Sequence, residues 1–289
     1  ELGNELWGDF QVGYPTLGRV AAVTEAFSRA IRAVDPKARL IATGQDPDRF
    51  EAWNAEQLKI APGAYDLLAT HFVVRPADVL RKNADQDFGT LAGFALPVEL
   101  ERRLRAMKAQ IDSTAARDKV RIAFTEWLFW GRDDRVIRFT NVAGAICTAG
   151  MLNTLIRTAD FVPVSDMTGL IEFGGIWKKR GQVFGTPAYW AFRMYSTSAA
   201  KRPVAANTRV ETYDVHEGTN RLPEIAKVPY LDAVAALNEA GDSLTLFVVN
   251  RHDQYLGALD ITKLLTDDPE RTVGESLDAT VGGISPDTP

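Results

Sequence analysis

The sequence predicts an α/β unit followed by an antiparallel β-sandwich. Helix and strand signals alternate over the first two thirds of the chain, which favours parallel pairing. After about residue 203 the runs become short, β-rich and separated by Gly, Asn and Asp, with no comparable helix between them. The boundary falls near Ala199–Pro203, giving units 1–202 and 203–289. Val20, Val23, Phe27, Ile31 and Val34 recur at three- and four-residue spacing, so residues 18–34 read as an amphipathic helix ended by Asp35-Pro36. Residues 39–44 form a short strand, 48–60 a weaker helix and 66–71 the next strand. A long mixed loop is expected over 72–96, with Pro97 in the first turn of a helix continued by Leu100, Leu104, Met107 and Ile111. Then come a strand at 119–126, a helix at 141–158, a strand at 161–165, a Gly-rich loop and a helix at 187–198. In the second unit, residues 208–215, 230–237, 243–250 and 258–261 read as strands, and 282–289 as a frayed tail.

Composition narrows the function. A formal charge of −5 disfavours nucleic acid or an anionic membrane as partner, because both want a basic face. The single cysteine, Cys147, excludes a disulfide framework and a thiolate metal site. His71, His216 and His252 lie far apart in sequence, so no His-cluster metal site is expected, and no cofactor. No apolar run approaches the ~20 residues of a membrane span. The lone cysteine is compatible with a cytoplasmic enzyme, and localisation stays open. The start, Glu1-Leu-Gly-Asn-Glu5, has neither Met nor a signal-peptide pattern and reads as a cut inside a longer protein.

The chemistry sits where strands end. Asn4-Glu5 closes the first segment, His71 the 66–71 strand and Glu126 the 119–126 strand. In a (β/α)8 barrel such positions share the rim that carries active sites. Two carboxylates facing across that rim suit glycoside hydrolysis, one donating a proton to the leaving oxygen and one attacking the anomeric carbon. Asn4 is placed to bond a sugar hydroxyl and His71 to orient a carboxylate. Trp127 and Trp130 offer aromatic faces to the sugar. A solvated strand-end Glu, a structural His and core Trp residues are the plainer alternatives for each residue taken singly.

At these residues the sequence resembles the clan A glycoside hydrolases. Leu2-Gly-Asn-Glu5, Thr125-Glu-Trp127 and the helix at 141–160 are similar to the α-L-arabinofuranosidases of glycoside hydrolase family 51. So are Val228-Pro-Tyr-Leu-Asp-Ala-Val-Ala235 and Leu244-Thr-Leu-Phe-Val-Val-Asn-Arg251. The resemblance runs from residue 1 to about 265. It implies a retaining hydrolase releasing terminal arabinofuranose from arabinose-containing chains, with Glu5 as acid/base and Glu126 as nucleophile. It also implies Asn4 as a ligand of the sugar 2-hydroxyl, His71 as a supporting residue and a homo-oligomer. By the same resemblance Glu5 ends barrel strand 4, so the chain is expected to carry strands 4–8 of a (β/α)8 barrel and an incomplete sandwich. The chain alone is then expected to be poorly soluble or inactive, with unpaired sheet edges. Two positions depart from the family: Val73 stands where a Tyr is common, and Gly169 near the place of a sugar-facing Gln. The rival readings are another clan A specificity, such as an endo-glucanase or endo-xylanase, and a non-catalytic carbohydrate-binding protein on the same fold.

Overall fold

The computed structural model describes residues 1–60, 63–75, 86–129, 138–169, 174–216 and 224–252, and of 86–88 the backbone alone. The expected strand at 258–261 and the tail at 282–289 lie outside the described residues. Helix α1 (Val20–Val34) follows a single 3-10 turn at Leu17–Arg19. Its inner face differs from the expected apolar stripe. Val20, Thr24 and Ser28 are buried, whereas Phe27 and Val34 face outward, Val34 at 88% exposure. The Ser28 hydroxyl donates to the Ala64 carbonyl, so a short polar side chain serves where the helix lies against neighbouring backbone.

Four strands form one parallel sheet in the order β1 (Ile41–Ala42), β2 (Leu67–Val74), β3 (Arg121–Phe129), β4 (Val164–Met167). Helices α2 (Glu51–Gln57), α3 (Gln86–Asp112) and α4 (Val142–Arg157) connect them in turn. Leu2 extends the parallel order by a bridge to Ala42, and its N–H donates to the Ile41 carbonyl at 2.8 Å. Parallel strands place all their C-terminal ends on one rim, which is what brings residues distant in sequence together. The core under this sheet includes Leu68, Phe72, Leu96, Leu100, Leu104, Met107, Ile111, Ile122 and Phe124.

Three local differences from the sequence reading have physical causes. The 72–96 segment is not mainly loop: β2 runs to Val74 and α3 is already helical at Gln86, so Pro97 lies in the helix interior. Proline has no N–H to give the carbonyl four residues back. The Cys147 thiol of α4 donates to that Gly93 carbonyl instead, at 3.3 Å. Gly150 lets α4 approach, since a Cβ there would meet Pro97 Cγ at 2.9 Å, and the Thr154 hydroxyl donates to the Pro97 carbonyl at 3.0 Å. Strand β4 starts three residues later than expected because Pro163 cannot join the ladder; the Phe161 carbonyl before it accepts from Ile122 N at 2.9 Å. The Gly-rich loop holds an unanticipated hairpin, β5 (Ile176–Lys179) with β6 (Gln182–Gly185).

Helix α5 (Pro187–Ser196) starts with Pro187 in its first turn, and the Thr186 hydroxyl caps it by accepting from Tyr189 N. The remaining strands pair antiparallel. Strand β10 (Leu231–Leu237) lies between β11 (Leu244–Asn250) and β7 (Arg202–Val204), while β8 (Thr212–Val215) pairs with β9 (Ile225–Pro229). Among the described residues no helix is long and apolar enough to cross a membrane.

Gly44, two residues after β1, lies hard against β2: a Cβ there would sit 2.0 Å from the Ala69 carbonyl oxygen. Gly44→Ala must lever the end of β1 away from β2, because the obstacle is backbone. A loss of about 1–3 kcal/mol is expected, read as a lower urea midpoint at unchanged m value.

Candidate active site

The rim at the C-terminal strand ends is built first from backbone. The Thr43 hydroxyl, beyond β1, contacts the carbonyls of Leu2 and Gly3 at 3.1 and 2.9 Å, pinning the first segment against the sheet. That segment then turns through Gly3 (φ 104°) and Glu5 (φ 46°). A left-handed Glu is uncommon and costs on the order of 1 kcal/mol, held here by the contacts on either side. The turn aims the Glu5 side chain at β2.

On β3 a bulge does the aiming. The register with β2 steps from Thr70–Phe124 to His71–Glu126, leaving Thr125 as the extra residue, and the register with β4 slips in the same place. A bulge interrupts the alternation of faces. Phe124 and Trp127 therefore both point into the core and stack at 6.4 Å, while Thr125 and Glu126 both reach His71.

His71 is the hub, buried to 6% exposure. Its Nδ1 lies 3.1 Å from Glu5 Oε1 and 3.6 Å from Glu126 Oε2. Its Nε2 lies 3.0 Å from Thr125 Oγ1 and 3.8 Å from Glu1 Oε1. Desolvation lowers the His71 pKa, but the bonds to Glu1 and Glu5 and the field of Glu126 outweigh it and push it up to about 9. The imidazole is thus protonated at neutral pH, and both nitrogens donate. For Glu126, burial raises the pKa and protonated His71 lowers it, with Glu5, Asp46 and Glu1 adding further upward pressure. The net direction is up, and His71 is the group that favours the ionised form.

Single ligand atoms of Glu5, His71 and Glu126 lie within 4.8 Å of one another, a spacing that three metal ligands also show.

The residues singled out from sequence fall into three groups. Glu5, His71 and Glu126 come together, and Asn4 lies exposed beside Glu5. Trp127 is corrected: it is fully buried between Phe124 and Phe139, and its indole N–H is spent on Ser165 Oγ at 3.0 Å, so no face is left for a sugar. Trp130 lies outside the described residues. The structure adds Glu1, Thr125 and the buried Asp46, which is paired with Arg49 at 3.0 Å. The Arg49 guanidinium in turn covers the half-buried Trp7 ring at 4.7 Å. Asp46 was legible in principle, since it follows β1 on the same rim; Thr125 depends on the bulge, which no local pattern announces. A cavity of about 450 Å³ beside β4, lined by Asp166, Tyr189, Phe192 and Arg193 among others, includes none of Glu1, Glu5, His71 or Glu126.

The raised His71 pKa has a stability consequence. Its contribution is full below the ordinary value of 6.5, declines between there and about 9, and is lost above. Urea denaturation should show a fall on the order of 2 kcal/mol from pH 6 to pH 10. The His71→Gln variant should flatten that slope; an unchanged slope would remove His71 as its cause.

The profile described as "Alpha-L-arabinofuranosidase C-terminal domain" matches residues 126–280, more than half of the chain. An intracellular exo-α-(1→5)-L-arabinofuranosidase of Halalkalibacterium halodurans is 24% identical over 87% of this chain and 52% of its own length. A protein of the same description from Streptomyces lividans is 27% identical, covering 92% of this chain and 41% of its own. The solved structure of the thermostable family 51 α-L-arabinofuranosidase from Thermotoga petrophila is similar at a TM-score of 0.72 and 27% identity, over 86% of this chain and 50% of that one. The chain spans about half the length of the curated relatives it matches. It belongs to the α-L-arabinofuranosidase C-terminal domain family of glycoside hydrolase family 51.

Proposed function

We propose that the rim of Glu5, His71 and Glu126 serves, in the whole protein, a retaining glycoside hydrolase that releases terminal α-L-arabinofuranosyl residues. The observation that carries the reading is the carboxylate pair: an oxygen of Glu5 and an oxygen of Glu126 lie within 4.8 Å, with Nδ1 of the buried His71 facing both. Retaining enzymes hold their carboxyl groups ~5–5.5 Å apart, inverting ones beyond ~6.5 Å to admit a water. Glu126 attacks the anomeric carbon while Glu5 gives its proton to the departing glycosidic oxygen. A glycosyl ester forms on Glu126, and Glu5, now a base, takes a proton from the water that cleaves it. Asn4 bonds the sugar 2-hydroxyl. No metal or organic cofactor enters these steps. The names of relatives, with α-(1→5) and α-(1→6) linkages among them, support arabinofuranosides as the substrate class and leave the polymer open.

The same reading divides the chain at 202/203 into the later part of a (β/α)8 barrel, strands 4–8, and a β-sandwich. The unbroken parallel order from Leu2 to β4 supports the first assignment. The antiparallel three-stranded sheet of β7, β10 and β11, whose first strand spans the boundary at Arg202–Val204, supports the second.

The test is a substrate panel on the whole protein. An aryl α-L-arabinofuranoside should be cleaved with retention, seen as the first-formed anomer by proton NMR. Aryl β-xyloside and β-glucoside should be cleaved at least ~100-fold more slowly. Inversion, or xylan or glucan as the preferred substrate, would replace the reading with another clan A specificity. Binding of arabino-oligosaccharide without turnover would replace it with a carbohydrate-binding protein.

A further inference from the structure

We infer that Glu1 is a third working carboxylate of this site, a positioning residue that acts through the Thr125 hydroxyl on His71 and so on the Glu5–Glu126 pair. The geometry is a relay. Glu1 Oε1 accepts from Thr125 Oγ1 at 3.3 Å, and Thr125 Oγ1 accepts from His71 Nε2 at 3.0 Å. Glu1 and the imidazole are 3.8 Å apart, too far for a direct bond and close enough for a charge to be felt. The bulge in β3 exists at the residue that bridges them, and the bond it makes orients the imidazole so that Nδ1 faces Glu5 and Glu126.

The charge count explains why a third carboxylate is useful. One imidazolium sits between two carboxylates that must differ in protonation for the proposed reaction. Glu1, behind the ring, adds negative potential on the Nε2 side and keeps the ring cationic while Nδ1 faces the reacting pair. The charged groups facing this cluster are Glu1 and Glu5 from the first segment, Asp46 beyond β1, Glu126 on β3 and Asp166 on β4. Asp46 is partnered by Arg49, and Asp166 is raised by burial and then by Glu1. Glu1 is the one whose carboxylate is linked to the ring through a hydroxyl. Its nearness is first among the influences that raise the His71 pKa, as a carboxylate 3.8 Å from Nε2 requires.

The inference rests on the hydrolase reading only for its kinetic arm, so the primary measurement does not use activity. In the whole protein labelled with ring-carbon-13 histidine, the resonance lost in His71→Gln identifies His71, and its titration midpoint should lie near 9. Glu1→Gln should lower that midpoint by about one pH unit or more. Thr125→Val should lower it less, because the 3.8 Å field remains, and the double variant should go no lower than Glu1→Gln alone. Glu1→Asp should restore part of the shift. In kinetics, Glu1→Gln should move the alkaline limb of kcat/KM to lower pH by a similar interval. Unmoved His71 midpoints in folded Glu1→Gln and Thr125→Val overturn the relay. A moved midpoint in a protein that cleaves no arabinofuranoside supports the relay and removes the hydrolase reading. An active enzyme with unmoved midpoints does the reverse.

Discussion

Glu126→Ala in the whole protein is expected to lower kcat by at least about 10,000-fold on every glycoside, because a nucleophile that forms the covalent intermediate has no substitute. Glu5→Ala should behave differently. Loss of a general acid costs ~100- to 10,000-fold where the leaving group needs a proton. An aryl group of low leaving pKa barely needs one, so glycosylation of Glu126 should proceed and the glycosyl-enzyme should accumulate. A burst of phenol followed by slow turnover is the expected trace. Azide, which needs no base, should then restore turnover and give a glycosyl azide of retained configuration. Equal losses on activated and unactivated substrates would contradict the acid/base assignment. Azide rescue of Glu126→Ala with inverted product would independently support the nucleophile assignment. The upward pressure on the Glu126 pKa makes His71 part of the same test. His71→Phe removes the cation 3.6 Å from Glu126, so the acid limb of kcat/KM should move to higher pH.

The gathering of Glu5, His71 and Glu126 was legible in the sequence because one rule, that the C-terminal ends of parallel strands share a rim, needs only the ends of strands. Glu5, His71 and Glu126 each end or nearly end a parallel element, and β2 and β3 place the latter two opposite each other. What the sequence did not disclose is which way neighbouring side chains point. Trp127 follows Glu126 and invites a sugar-facing role, but after the bulge it falls on the core face with Phe124. Thr125 is missed for the converse reason, since the bulge turns it toward His71. The α1 stripe fails on composition. Thr24 and Ser28 are buried on that helix, and Ser28 donates its hydroxyl to the Ala64 carbonyl. Pro97 was read by its local preference for a first turn; the Cys147 thiol that satisfies Gly93 comes from a helix about fifty residues away. Each miss is a long-range contact overriding a local rule.

The largest stability effect is expected at Asp232, on β10. Its carboxylate bonds Arg251 through Oδ2 at 2.7 Å and Arg157 through Oδ1 at 2.6 Å, and its carbonyl accepts from Asn153 at 3.1 Å. Arg251 is 1% exposed and Asp232 itself is buried, so this is an interior ion pair and not a surface one. Arg157, on α4, also holds Glu101 of α3 at 2.6 Å, so one carboxylate on β10 fastens the antiparallel strands to two helices of the parallel unit. Asp232→Ala leaves the Arg251 guanidinium in the interior with only the Pro229 carbonyl at 3.0 Å as a remaining partner among those described above. Removing one member of a buried pair costs about 3–5 kcal/mol, mostly because the other charge is stranded. Arg157 contributes less to that cost, being partly exposed and still paired with Glu101. If stranding is the cause, then Asp232→Ala combined with Arg251→Met should be more stable than Asp232→Ala alone, since no unpaired guanidinium remains. Urea denaturation of the three variants at constant m value decides it. A double variant worse than the single would mean that Arg251 stabilises through its packing, with the ion pair secondary.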